Sequence, residues 1–187
     1  MRLLDAISLF LFFILISLGS NAQSNIEHEI NVSIPEVALL SLQTDGAGEV
    51  NFVTGASNVA GQEINIEKKE HPGIWINYSS VVPANQKRKV VASVLGEIPA
   101  GLVIKLKTSE SRGKGLGRLG HGQKEIALGN SPVDVISGIG TCYTGAGVRN
   151  GHLLTYSLEL DDSAETYGQL AFSQSSLQIL YTLTDDN

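Results

Sequence analysis

The chain of 187 residues carries one cysteine, Cys142, and four histidines, His28, His71, His121 and His152, so covalent chemistry would have to be assembled from very few side chains. A thiolate at Cys142 can attack a carbonyl if an imidazole handles the proton and a cation steadies the oxyanion. Arg149 lies seven residues on, with His71 and His121 upstream. The histidines are widely spread, with neither an i, i+4 pair nor the HExxH spacing of a zinc hydrolase, and no serine stands in Gly-x-Ser-x-Gly. Gly115-Leu-Gly117-Arg-Leu-Gly120 spells a dinucleotide fingerprint, yet it follows Thr108-Ser-Glu-Ser-Arg112 and precedes His121-Gly-Gln, where the motif needs a strand before it and a helix after it. Five glycines between 113 and 122, interleaved with Lys114, Arg118 and His121, instead predict a mobile surface loop. Asp161-Asp162 and Asp185-Asp186 offer carboxylate oxygens without the acid-x-acid-x-acid-Gly loop of a calcium site, and read as a polar hairpin connection and a solvated tail. No metal and no cofactor is expected.

What must position any such groups is a β-rich domain. A hydrophobic content of 42% and a charged content of 17% exclude a disordered chain, and 20 Gly with no long 3.6-residue periodicity excludes a helical bundle. One cysteine rules out a disulfide framework within the monomer. At the amino terminus Arg2 is followed by an apolar run, Ile7 to Leu18, that is too short for an ordinary membrane span of about 20 residues. Ser20 and Ala22 place small residues where a signal peptidase reads them. Residues 1–22 are therefore expected to be a signal peptide and 23–187 a single domain that is extracytoplasmic, in the periplasm, at the cell surface or secreted, with no membrane span after cleavage.

Alternation dominates the mature chain. Ile26, His28, Ile30, Val32 and Ile34 fall on one side of a predicted half-buried strand over 27–34, with Glu27, Glu29, Asn31 and Ser33 on the other; Pro35 ends it. Further strands are predicted at 37–42, at 50–54 after the Asp45-Gly46 turn, and at 64–67, 74–81, 89–95, 102–107, 154–160 and 177–183. Ser131-Pro132-Val133-Asp134 provides a cap, a proline at the first helical position and an acid three residues after the cap, which predicts one short helical turn over 132–137, ending near Gly138. The expectation is an all-β sandwich of roughly seven to ten strands.

Charge is uneven. Residues 87–124 hold nine Lys and Arg against Glu97 and Glu110, in a chain of net charge −6. A basic patch can hold phosphates, but this stretch has no aromatic residue on which bases would stack; nucleic acid is not an expected partner. Solvated faces, edge strands and head-to-tail attraction between subunits are the alternatives. Trp75 and Tyr78, in Trp-Ile-Asn-Tyr, offer aromatic faces on which a sugar ring can pack.

Two resemblances bear on function. Gly140-Thr141-Cys142 with Arg149 and an upstream histidine resembles the site of sortases, exported β-barrel transpeptidases, although Gly138 and Ile139 stand where those enzymes carry Thr-Leu. A longer resemblance begins at Asn25: the alternating strand ending in Pro35, then Leu39-Leu40, Asp45-Gly46 and Val50 to Thr54, is similar to the opening of class five, alternate chaperone–usher fimbrial major subunits. Gly101-Leu-Val-Ile-Lys-Leu and the closing Leu180-Tyr-Thr-Leu-Thr resemble strands of pilins and of spore-coat-U-like pilin domains. This covers about a third of the chain and implies an immunoglobulin-like Greek-key sandwich whose amino-terminal strand, through Ile26, Ile30, Val32 and Ile34, completes a neighbouring subunit by strand addition.

The expectation is thus an exported, non-catalytic structural or adhesion-type subunit that self-associates or joins homologous subunits. A secreted sandwich binding carbohydrate or another surface ligand is the alternative, and a Cys-dependent transpeptidase a more distant one.

Overall fold

A computed structural model describes residues 29–46, 48–52, 55, 59–62, 70–161, 167–170 and 175–186. The predicted signal peptide, Ile26, His28 and the predicted strand at 64–67 lie outside these residues. The chain divides into two compact units, residues 1–34 and 35–187. Of the first, residues 29–34 are described; they belong to no strand, and Ile30, Val32 and Ile34 are exposed. At 29–34 the half-buried strand predicted over 27–34 is therefore not paired, and its apolar side chains are exposed instead of half-buried.

Among its described residues the second unit is nearly all β. Its described strands are β1 (Val37–Thr44), β2 (His71–Val81), β3 (Arg88–Leu95), β4 (Leu102–Thr108), β5 (Leu116–Gly122), β6 (Ile126–Leu128), β7 (Val133–Tyr143), β8 (His152–Leu160) and β9 (Gln178–Asp185). All pairings are antiparallel, and β1–β2 alone joins consecutive strands. Pairing follows β1-β2-β8-β4-β6 in one layer and β9-β3-β7-β5 in the other. The layers are continuous because β2 changes partner along its length: its first half pairs with β8, and Ser79 and Ser80 pair with Tyr143 and Cys142 of β7. Strands that switch sheets in this way make the corners of a sandwich. Away from that corner, the Val94 amide of β3 donates to Gly129 O, just past β6, at 2.8 Å.

The core lies between the layers, with Ile76 and Tyr78 of β2, Val90, Ala92 and Val94 of β3, Leu106 of β4, Ile136 and Ile139 of β7, and Leu154 and Tyr156 of β8 all buried. Tyr156 of β8 and Tyr181 of β9 meet hydroxyl to hydroxyl across it. Burial raises both phenols above the usual tyrosine range.

Two sequence expectations are corrected. The helical turn over 132–137 is absent: those residues enter β7, one of the two longest strands. Val133, Val135, Ile136 and Ile139 are β-branched and pack poorly in a helix. Register shifts opposite Arg88, Val90 and Val91 bury Val135 and Ile136 together, which erased the two-residue period that would have marked a strand. The glycine-rich stretch is no mobile loop either. Residues 116–122 form β5, laid antiparallel on β7. A side chain at Gly115 would meet Tyr143 O at 2.8 Å, and Gly117, at φ +95°, lies 2.8 Å from Cys142 Cα by the same construction. Glycine is what lets the two backbones approach.

Candidate functional site

Of the residues proposed for strand donation, Ile30, Val32 and Ile34 are described, and they are the most exposed large apolar side chains among the described residues. Ile30, Val32 and Ile34 expose 76%, 81% and 77% of their surface, whereas the isoleucines and valines at the centre of the core expose almost none. Their backbone enters no ladder, and the chain passes through Pro35 and Glu36 straight into β1. β1 pairs on one side only, with β2, and β9 on one side only, with β3, so among the described residues both strands present an open edge.

Where the ribbon gives way to the sandwich, Arg88 fastens several elements together. The residue is 5% exposed. Its Nη1 donates to Val37 O at the start of β1 and, at 3.3 Å, to Ser80 Oγ in β2. Its Nη2 meets Glu36 Oε1 and its Nε lies 3.5 Å from Asp185 Oδ1 at the end of β9. A planar guanidinium with five donors is suited to such a junction.

The groups that hinted at catalysis are dispersed. Cys142 is buried in β7, and desolvation pushes its thiol up to about 11, so at neutral pH it is a protonated thiol rather than a nucleophilic thiolate. His71 packs edge-on against Phe52 at 4.9 Å between ring centroids. His121 is exposed, 3.4 Å from Glu110 Oε2. His152 is wholly buried and stacks on Tyr78 at 5.7 Å. Its Nδ1 lies 2.7 Å from Ser109 O, which can only accept, and its Nε2 lies 2.8 Å from the Tyr78 hydroxyl, which also contacts Leu119 O; in the neutral ring Nδ1 donates to Ser109 O and Nε2 accepts from Tyr78. Burial lowers the His152 pKa and raises that of Tyr78, the latter helped by Cys142. This network ties buried residues of β2, β5 and β8 together, which makes it a structural polar cluster. Among the described residues, no three His, Cys, Asp or Glu side chains gather as a metal ion would require.

Trp75 and Tyr78, the residues that suggested sugar stacking, are 8% and 3% exposed. Three positions apart on one strand, they point to opposite faces and form no shared platform. The basic stretch divides in two. Arg88, Lys89 and Lys105 are matched by carboxylates, Lys89 by Asp134 and Lys105 by Glu125 and Glu159. The other six are exposed and have no ion pair among the described residues: Lys87, Lys107 and Lys124 and, in the glycine-rich stretch, Arg112, Lys114 and Arg118.

Sequence reading missed the surface these last residues share with Tyr143, because the aromatic lies outside the basic stretch and the strand pairing that joins them was read as a loop. The signal that identifies it is the glycine spacing at 115, 117, 120 and 122, which matches a strand pressed onto its neighbour. No family model, curated protein or solved structure matches this chain.

Proposed function

We propose that the protein is an exported, non-catalytic structural subunit of an extracytoplasmic assembly, and that it associates with further copies or homologous subunits by adding its amino-terminal strand to a neighbour's sheet. The observation that carries this reading is the exposure of Ile30, Val32 and Ile34 at 76%, 81% and 77% on one unpaired segment. Covering each such side chain is worth about 1.5–3 kcal/mol, and an alternating ribbon can bury its apolar side only as part of a sheet. The open edges of β1 and β9 are of the kind that accept a strand. The non-catalytic part of the reading rests on the buried, protonated Cys142 thiol and on strand register, which sets His71 opposite Tyr156 and His121 opposite Ser137, away from the Cys142 pairing with Ser80 and Gly117.

The test is the size of the exported protein at rising concentration, by light scattering and by chemical crosslinking. Wild type should form oligomers or ladders, and Ile30→Asp/Val32→Asp should remain monomeric with an unchanged melting temperature. A wild type that stays monomeric at all concentrations, or a double variant that assembles equally well, would overturn the reading.

A further inference from the structure

We propose that the outer face of β5 and β7, at the end where the 108–116 and 143–152 connections meet, is a binding site for an anionic polysaccharide. Its floor is set by strand register. Leu39 of β1 lies opposite Ser79 of β2, Ser79 opposite Tyr143 of β7, and Tyr143 opposite Leu116 of β5. Residues directly opposite in antiparallel strands share a face, so the four side chains form one row across four strands, about 14 Å long at the usual strand spacing. Leu39, Tyr143 and Leu116 are 64%, 47% and 64% exposed. A half-exposed phenol lying among leucines on a sheet is a surface on which the apolar face of a pyranose can rest, with the hydroxyl free to hydrogen-bond.

Four cations stand beside this row. Arg112, Lys114, Arg118 and Arg149 are exposed, and none has an ion pair among the described residues. The backbone beneath them is fixed. Arg112 and Gly151 exchange both backbone hydrogen bonds, at 2.8 and 2.9 Å. The Lys114 amide donates to Asn150 Oδ1 at 3.2 Å, Asn150 Nδ2 donates to Ala146 O at 2.8 Å, and Asn77 Nδ2 donates to Asn150 O at 2.6 Å. Arg149 is held at φ +65°, a conformation uncommon for a residue with a side chain. The Arg118 stem lies across Gly140, where even a methyl group would stand 3.0 Å from its Cβ, so β5 and β7 carry this side chain on the same outer face. The acid of this stretch, Glu110, faces His121.

The arrangement selects among anions. The cations are spread along two neighbouring chain segments instead of converging on a point, which suits a polymer with charge at intervals better than a lone phosphate. A single-stranded nucleic acid needs successive aromatic faces for successive bases, and the row offers one. In a molecule of net charge −6, four uncompensated cations in one place also give the site a steering field that the rest of the surface opposes.

The full-length protein, as exported, should be titrated with heparin and with polygalacturonate. Neutral dextran, phosphatidylglycerol vesicles and oligothymidylate serve as comparisons, each at several salt concentrations. Binding to one or both acidic polysaccharides, weakening steadily with salt, is the expected result. Lys114→Glu/Arg118→Glu should reduce affinity about tenfold or more and flatten the salt dependence. Tyr143→Ala should cost about tenfold with the salt dependence intact. Lys87→Glu, an exposed cation outside the cluster, should stay within about twofold. Should the acidic pair fail to fold, Lys114→Gln/Arg118→Gln carries the same test. Failure to bind either polysaccharide, equal losses at Lys87, an unaffected Tyr143→Ala, or binding confined to vesicles or to oligothymidylate would each overturn the proposal.

Discussion

Residues 29–34 and residues 115–122 invert what their sequences promise. The first has strict alternation, β-branched side chains and no glycine, the composition of a strand, and it is unpaired with its isoleucines in water. The second has glycines at 115, 117, 120 and 122, the composition of a loop, and it is paired along β7. Alternation records that a segment is fit to be half of an interface; it does not say that the other half belongs to the same chain. Glycine in a strand records how closely another backbone approaches, and at Gly117 that approach leaves no space for a Cβ. The two segments should therefore respond in opposite ways to substitution.

The largest effect is expected at Gly117. Valine there combines a β-branched residue at φ +95° with a clash against β7 backbone, and these costs together reach about 3–5 kcal/mol. Gly117→Val should leave little folded protein at 37 °C, read by thermal melts and by soluble yield. A tolerated valine would mean that β5 is free to lift from β7, and the contrast with the amino-terminal segment would vanish.

Next in size is Arg88, the junction between Glu36 and the sandwich. Replacing it with alanine strips partners from Val37 O and Ser80 Oγ and opens a gap among strand ends. Unpaired buried groups cost about 1–3 kcal/mol each, partly relieved here by water because Glu36 and Asp185 are well exposed. Arg88→Ala should destabilise by about 2–3 kcal/mol in denaturant melts. A much smaller loss would show that β1 is held by its pairing with β2 alone.

These two sites also show how far the sequence could be read. β4, β8 and β9 were legible because each buries or half-buries alternate residues, so the two-residue period survived in Leu154 to Leu160, and β2 was legible from its run of β-branched and aromatic residues although Trp75 to Tyr78 are all buried. β7 was not, because bulges opposite β3 bury Val135 and Ile136 together, and a local cap signal at Ser131 and Pro132 then decided the reading. Val50 and Phe52 pack against the core without entering a strand at 48–52, which shows that apolar periodicity reports burial before it reports pairing. Tyr143 and Leu116 became neighbours through a register that no local pattern encodes. Arg88, charged and flanked by two lysines, read as surface, because its burial depends on three other strands ending at the same corner.

A smaller effect should appear on acidification. Burial places the His152 pKa below its ordinary 6.5, so the folded protein holds the imidazole neutral where the unfolded chain would protonate it. Stability is complete above pH 6.5, falls as pH drops below it, and the loss levels off once the folded-state pKa is passed. The slope is at most about 1.4 kcal/mol per pH unit. His152→Gln should lower stability at pH 7.5 through Tyr78 and Ser109, yet flatten the dependence between pH 6.5 and 5. An unchanged slope would assign the acid sensitivity to other groups and show that the Tyr78–His152 network opens readily to water.

The smallest effect on the isolated fold is expected where the sequence looked most like a strand. At 81% exposure Val32 has little apolar surface to lose, and surface substitutions of this kind alter stability by no more than about 0.5 kcal/mol. Val32→Thr keeps the β-branch and removes part of the apolar side. It should leave the melting temperature of the monomer where it was and weaken self-association by about three- to tenfold, the worth of roughly one buried methyl group. Val32→Ala, which gives up more of that side, should weaken it further. The pair thus grades the interface while the fold serves as its own control. If both variants instead lower the melting temperature of the monomer, the segment is packed within its own chain, and the difference between the two regions is one of exposure in a single state rather than of partnership.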